Sequence, residues 1–231
     1  KCIESNSLNL VGLTCHIGSQ IMELNGFEEA AYQALELLGE LDKRNIDLDF
    51  IDMGGGLGVN YVGEETVQPM ELIQCYEKIF SERSERLILE PGRSISANAG
   101  IMLTKVEYEK NSFLIADAAM NDLLRPALYQ AHHDVWPVTK NNNAASSTVS
   151  LVGPICETGD FLAKNIDSKG SKGDLLAIKT VGAYGFVMSS NYNSRPRAPE
   201  IIVDKDKAYL IRKREEYSSL TALEEGLDDQ I

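Results

Sequence analysis

The spacing of apolar positions changes along the chain, and the change divides it in two. Residues 8–17, LNLVGLTCHI, are rich in Leu and Val and show no helical stripe, which predicts a buried strand ending near His16. Phe27, Ala31, Ala34, Leu38 and Leu41 then recur at steps of four and three, the stripe of an amphipathic helix. Asn25 is placed to cap it, with Glu28 three residues on in a capping-box-like arrangement. IDLDFIDM, residues 46–53, predicts a second strand, stopped by Gly54, Gly55 and Gly56. A second helix is predicted over Met70 to Ser81, and RLILE, residues 86–90, as a third strand ended by Pro91 and Gly92. Strand, helix, strand, helix, strand is the pattern of βαβ units, whose strands must run parallel. All three strand ends carry polar or glycine-rich residues, as at the catalytic face of a (β/α) barrel.

After Ala97 the texture is different. ANAGIMLTKVEYEK, SFLIADAA, STVSLVGPI, DLLAIKTVGAY and EIIVDKDKAYLIR predict strands separated by turns, with little helical pattern between them. NNNAASS, residues 141–147, is expected as an exposed loop, and SSLTALEEGLDDQI as a short acidic terminal helix. The fold class is therefore α/β. Residues 1–96 are expected to form the last part of a (β/α)8 barrel, and residues 97–231 a mainly β domain. A complete barrel takes about 250 residues. The shortage of strands and the start at Lys1 rather than Met lead to the expectation that the chain is part of a longer one.

Composition narrows the partners. The formal net charge is −13, with no long basic run, which argues against a nucleic-acid or anionic-membrane surface. No apolar stretch approaches the roughly 18 residues of a membrane span, and KCIESNSLNL has no signal-peptide core. Cys2, Cys15, Cys75 and Cys156 form no CxxC pair and no zinc-site spacing, which fits a reduced, cytoplasmic protein. No metal site is expected at His132 and His133, since no carboxylate or cysteine stands at ligand spacing beside them.

Several short stretches carry candidate chemistry. Three glycines leaving a strand let backbone N–H groups close on a phosphate, although a merely flexible turn has the same sequence. In EPGRSI, Glu90 can hold a ring nitrogen protonated and Arg93 can take a phosphate or carboxylate; a surface ion pair is the plainer reading. His16 and Ser19 in HIGSQ offer a flat ring and a hydroxyl. GPICETGD places Cys156, Glu157 and Asp160 together between apolar stretches. It is either a turn of solvated acids around a small core cysteine, or a thiol proton donor beside a carboxylate.

The order HIGSQ, DMGGGLG, EPGR, RPALY, GPICETGD, GAYGFVMSSNYNSRPR resembles the fold-type III pyridoxal-phosphate-dependent amino-acid decarboxylases, and within them the diaminopimelate branch. The resemblance runs from about Leu10 to the carboxyl terminus and covers a little over half of that family's usual architecture. It implies decarboxylation of meso-2,6-diaminopimelate to L-lysine and carbon dioxide, the last step of lysine biosynthesis, by a homodimer with shared active sites. It implies His16 stacked on the pyridine ring, Ser19 with Gly54, Gly55 and Gly56 on the phosphate, and Glu90 on the pyridine nitrogen. Pro91, Gly92, Arg93 and Tyr184 complete the implied cofactor site. Arg93, Arg125, Tyr129, Glu157 and Tyr184 are implied to bind substrate, with Glu157 on its far amino group and Cys156 as proton donor. The lysine that anchors the cofactor in this family has no counterpart among the 13 lysines present. A relative acting on carboxynorspermidine, ornithine, arginine or a D-amino acid, a non-catalytic regulatory member, and a generic phosphate-binding module remain open.

Overall fold

A computed structural model describes residues 2–139, 147–168 and 170–226. It divides into two compact units, Lys1–Ala99 and Gly100–Ile231. The first holds a parallel sheet in the order β1 (Gly12–Thr14), β2 (Phe50–Asp52), β3 (Arg86–Ile88), with Leu13 beside Ile51 and Ile51 beside Leu87. All three strands are three residues long: β1 and β2 are shorter at both ends than the apolar runs that announced them, and β3 at its carboxyl end.

The crossovers are α1 (Asn25–Asp42) and α2 (Pro69–Ile79). Phe27, Ala31, Ala34 and Leu38 of α1 are buried against Ile51, Leu57, Leu72, Tyr76 and Phe80. Burial at that stripe is what makes the helix form there; a Leu38→Ala change would cost about 2–5 kcal/mol. Asn25 does not cap α1: it lies inside the first turn, and the capping position falls on Leu24 with no side-chain bond. At α2 the cap is real, since the Glu71 carboxylate accepts the Gln68 N–H at 2.7 Å and Pro69 opens the helix.

The second unit is built on a six-stranded mixed sheet in the order β6 (Val135–Pro137), β9 (Leu175–Ile178), β4 (Met102–Lys110), β5 (Phe113–Ala116), β7 (Ser147–Val152), β8 (Phe161–Ser168). Pairs are antiparallel except β5 with β7. Val106, Leu114, Leu123, Leu151, Leu162, Leu176 and Ile178 form its core. A separate hairpin joins β10 (Glu200–Asp204) and β11 (Lys207–Arg212).

Strands β6 and β8 were not anticipated. In β8 the alternation is broken by Asn165, whose φ of +52° goes with a register shift against β7, so no clean period-two pattern reaches the sequence. The expected terminal helix shrinks to one turn, Tyr217–Leu220, and residues 221–226 are not helical; its last residues, and 141–146 of the expected loop, lie outside the described residues. Among the described residues no helix is long and apolar enough to cross a membrane.

Candidate active site

Each strand of the parallel sheet delivers a candidate functional segment just past its carboxyl end. His16 and Ser19 follow β1, the glycine triplet follows β2, and Glu90 to Arg93 follow β3. Main-chain bonding continues beyond the strands: Cys15 N–H donates to the Asp52 carbonyl at 2.9 Å, Met53 N–H to Ile88 at 3.0 Å, and Glu90 N–H to Gly54 at 2.8 Å. That stitching sets His16, Gly54 to Gly56 and Glu90 side by side.

The triplet is a packing requirement. A Cβ at Gly54 would strike the Cys15 carbonyl oxygen, at Gly55 that of Glu90, and at Gly56 that of Gly18. Gly54 and Gly56 also take positive φ, +66° and +106°. The reading of a merely flexible turn is therefore overturned. Within the loop, Gly54 N–H donates to Asp52 Oδ1 at 2.8 Å and Gly55 N–H to His16 Nδ1 at 3.3 Å. As an acceptor at Nδ1, the His16 ring carries its proton on Nε2 and is held in orientation by the loop it overlies.

Arg93 donates through Nη2 to Ser19 Oγ at 3.0 Å and through Nη1 to the Tyr61 hydroxyl at 2.8 Å. Tyr61 is buried, in the loop after the triplet, and had no signal in the sequence beyond that position. Glu90 is exposed, at the end of its strand. Pro91 and Gly92 turn the chain into α3 (Gly92–Ser96), on which Arg93 sits.

In the second unit, Gly153 to Asp160 join β7 to β8. Asp160 is only 4% exposed; Oδ1 accepts the Met120 N–H at 2.7 Å and Oδ2 the Ile155 N–H at 2.8 Å. Burial pushes its carboxyl group up from the usual range, and the two N–H donors act the other way. Asp160 is thus a structural pin rather than a solvated acid. Cys156 and Glu157 face out and are exposed, which removes the core-cysteine reading.

The segment after Tyr184 meets them. The Tyr192 hydroxyl donates to Glu157 Oε2 at 2.6 Å, and Asn193 Nδ2 lies 3.9 Å from Cys156 Sγ. The bond to Glu157 pushes the Tyr192 phenol up from its ordinary value. Neither Tyr192 nor Asn193 was singled out by the sequence.

Arg125 and Tyr129 lie on α4 (Arg125–Tyr129), Arg125 buried and Tyr129 exposed. Arg125 Nη1 lies 3.0 Å from His133 Nε2, and His133 Nδ1 lies 2.9 Å from the Lys179 carbonyl. A carbonyl only accepts, so the imidazole proton is on Nδ1 and Nε2 receives the guanidinium. His132 turns the other way, to Asp134. Tyr184 is exposed in part and takes a φ of +58°, a left-handed conformation for a non-glycine residue.

The family model for the carboxyl-terminal sheet domain of pyridoxal-dependent decarboxylases matches residues 46–182. The chain is 50% identical to diaminopimelate decarboxylase from Vibrio cholerae and 48% identical to that from Pseudomonas aeruginosa, in both cases over 96% of this chain and 54% of the relative. It superposes on the crystal structure of diaminopimelate decarboxylase from Helicobacter pylori complexed with L-lysine with a TM-score of 0.91 at 39% identity, covering 100% of this chain and 57% of that one. The chain spans about half the length of the curated relatives it matches. With the glycine loop, the strand-end Glu90 and Arg93, and the Cys156–Glu157 pair in place, the chain belongs to the pyridoxal-dependent decarboxylase family.

Proposed function

We propose that the chain is the carboxyl-terminal portion of a cytoplasmic, homodimeric enzyme that decarboxylates meso-2,6-diaminopimelate to L-lysine and carbon dioxide. The observation that carries this reading is the exposed Cys156–Glu157 pair pinned by buried Asp160, on a chain about half identical to diaminopimelate decarboxylases. A regulator would need neither an aimed thiol nor its carboxylate neighbour.

The residues of the first unit fit pyridoxal phosphate in donor set and charge. A hydroxyl and a guanidinium stand where a phosphate needs donors, a ring of fixed orientation lies on the glycine loop, and an exposed carboxylate ends β3 for a protonated ring nitrogen. Ser19, Gly56 and the main chain at Pro91 to Arg93 would hold the phosphate, His16 would cover one face of the ring, and Glu90 would pair with its nitrogen. When bound, the cofactor supplies an electron-poor ring that takes up the electron pair left as carbon dioxide departs. The anchoring lysine would come from the part of the relatives' length that this chain does not span.

The remaining roles belong to this chain's own side chains. Arg93, Arg125 and Tyr129 bind a substrate carboxylate, the arginines through planar forks that match its geometry. His133 keeps Arg125 aimed by accepting one of its N–H groups. Tyr184 contacts phosphate and substrate. Glu157 accepts the far ammonium, and Cys156 then gives its proton to the carbon that has lost carbon dioxide. The full-length protein, purified with pyridoxal phosphate, should release carbon dioxide and lysine from meso-diaminopimelate. Turnover of ornithine, arginine or carboxynorspermidine instead would overturn the substrate, and turnover of none would favour a regulatory member.

A further inference from the structure

Cys156 and Glu157 are neighbours in sequence, and each faces a neighbour in one short turn. Glu157 Oε2 receives the Tyr192 hydroxyl at 2.6 Å, and Cys156 Sγ lies 3.9 Å from Asn193 Nδ2. The turn is not relaxed: Asn193 has φ +57° and ψ +32°, and Ser194 follows with φ +53°, two successive non-glycine residues in the left-handed region. Such a conformation persists only where the surroundings impose it. Here they do so from both ends. Ser190 N–H donates to the Asn121 carbonyl at 2.9 Å, and Asn121 Nδ2 returns to the Ser190 carbonyl at 3.2 Å. Arg195 donates through Nε to Asn121 Oδ1 at 2.8 Å and through Nη2 to the Asp117 carbonyl at 2.6 Å. Asn191 Nδ2 bonds the Arg195 carbonyl at 3.0 Å and Glu215 Oε2 at 2.7 Å, closing the turn on itself.

We propose that the turn Asn191–Arg195 is a positioning device for Cys156 and Glu157, with Tyr192 a specificity-determining residue that acts through Glu157. The inference rests on the reading of Glu157 as the acceptor of the substrate's far ammonium. A carboxylate on a flexible side chain has several rotamers, and one fixed oxygen removes most of them before substrate arrives. The phenol donates to Oε2 and leaves the remaining lone pairs to a cation. The phenol is protonated at neutral pH as an ordinary tyrosine is, and its bond to the carboxylate pushes it further up. Asn193 plays the parallel part for Cys156, offering an amide donor to the sulfur once its proton has left.

The test is a double-mutant cycle in the full-length enzyme with meso-diaminopimelate as the probe. Tyr192→Phe should raise KM about tenfold and leave kcat within about twofold, and Tyr192→Phe with Glu157→Gln should be no worse than Glu157→Gln alone, because coupled residues are not additive. An unchanged KM, or effects that add, would overturn the proposal. Asn193→Gly keeps the left-handed turn while deleting the donor, so it remains informative should Tyr192→Phe fold poorly. It should lower kcat about three- to tenfold at constant KM. An unchanged kcat, or a loss confined to KM, would overturn the part given to Asn193. A wild-type enzyme inactive on diaminopimelate is a separate outcome: it would overturn the parent reading, and the proposal with it.

Discussion

The two units position their functional residues by opposite means. In the first, three short parallel strands and glycine main chain do the work: His16, the triplet and Glu90 are stitched together by backbone N–H groups, and no Cβ fits between them. In the second, the loop and the turn proposed to carry the chemistry are held by side chains: Asp160 on Ile155, Arg195 on Asn121, Glu215 on Asn191. Backbone packing fails by steric collision, whereas a side-chain pin fails by leaving its partners unsatisfied. The first half therefore suits a rigid cradle and the second a group that must be aimed at a reacting atom.

Four measurements press on that contrast. Cys156→Ala should slow turnover of the full-length enzyme about 10²- to 10⁴-fold, the range for a general acid, with cofactor absorbance intact; undiminished turnover would remove the thiol from the chemistry. Asp160→Ala strands the N–H groups of Met120 and Ile155 at a buried site, so it should cost about 1–3 kcal/mol for each in denaturant unfolding. It should also lower kcat while sparing cofactor retention. Gly55→Ala should do the reverse, costing about 1–3 kcal/mol from overpacking and releasing cofactor, as read by absorbance after dialysis. If Asp160→Ala released cofactor or Gly55→Ala kept it, the division of labour would be wrong.

The smallest effect is one of pH. Glu215 accepts the Arg197 N–H at 2.9 Å and Asn191 Nδ2, and the first of these is the largest cause holding its carboxyl group below the usual range. A depressed folded value means that its contribution is present above the unfolded carboxylate value, near pH ~4, and is lost as pH falls through the folded one. Hydrogen exchange around residues 191–197 should accelerate in that acid window in the wild type, and Glu215→Gln should show no such step.

Legibility followed the range of the forces involved. The helix stripe Phe27, Ala31, Ala34, Leu38 and the strand ends at His16, Gly54 and Glu90 were readable because burial periodicity and strand-to-loop punctuation are local. Of the residues that carried the resemblance, His16, Gly54 to Gly56 and Glu90 sit at those same points, whereas Arg125 and Tyr129 lie on α4 and Cys156 and Glu157 between β7 and β8. Tyr61 left no such trace, and Tyr192, Asn193 and Arg195 were visible only as part of the GAYGFVMSSNYNSRPR stretch without a role, since each acts on a partner more than 30 residues away. Asp160 was visible as part of GPICETGD, but only the fold shows that its carboxylate faces inward to main-chain donors. Over its described residues the terminal helix was over-read, because they include helix formers but no buried face.

The Arg195 fork joins residues 74 and 78 positions apart. Such a contact is expected to form after the sheet whose strand β5 leads into the segment carrying Asp117 and Asn121, because closing a loop of that length costs entropy that prior structure reduces. The proposed aiming of Cys156 and Glu157 is therefore expected among the last events in the folding of its unit. In reverse, local opening can release the turn while the sheet stays paired, so loss of activity under mild denaturant should run ahead of loss of secondary structure.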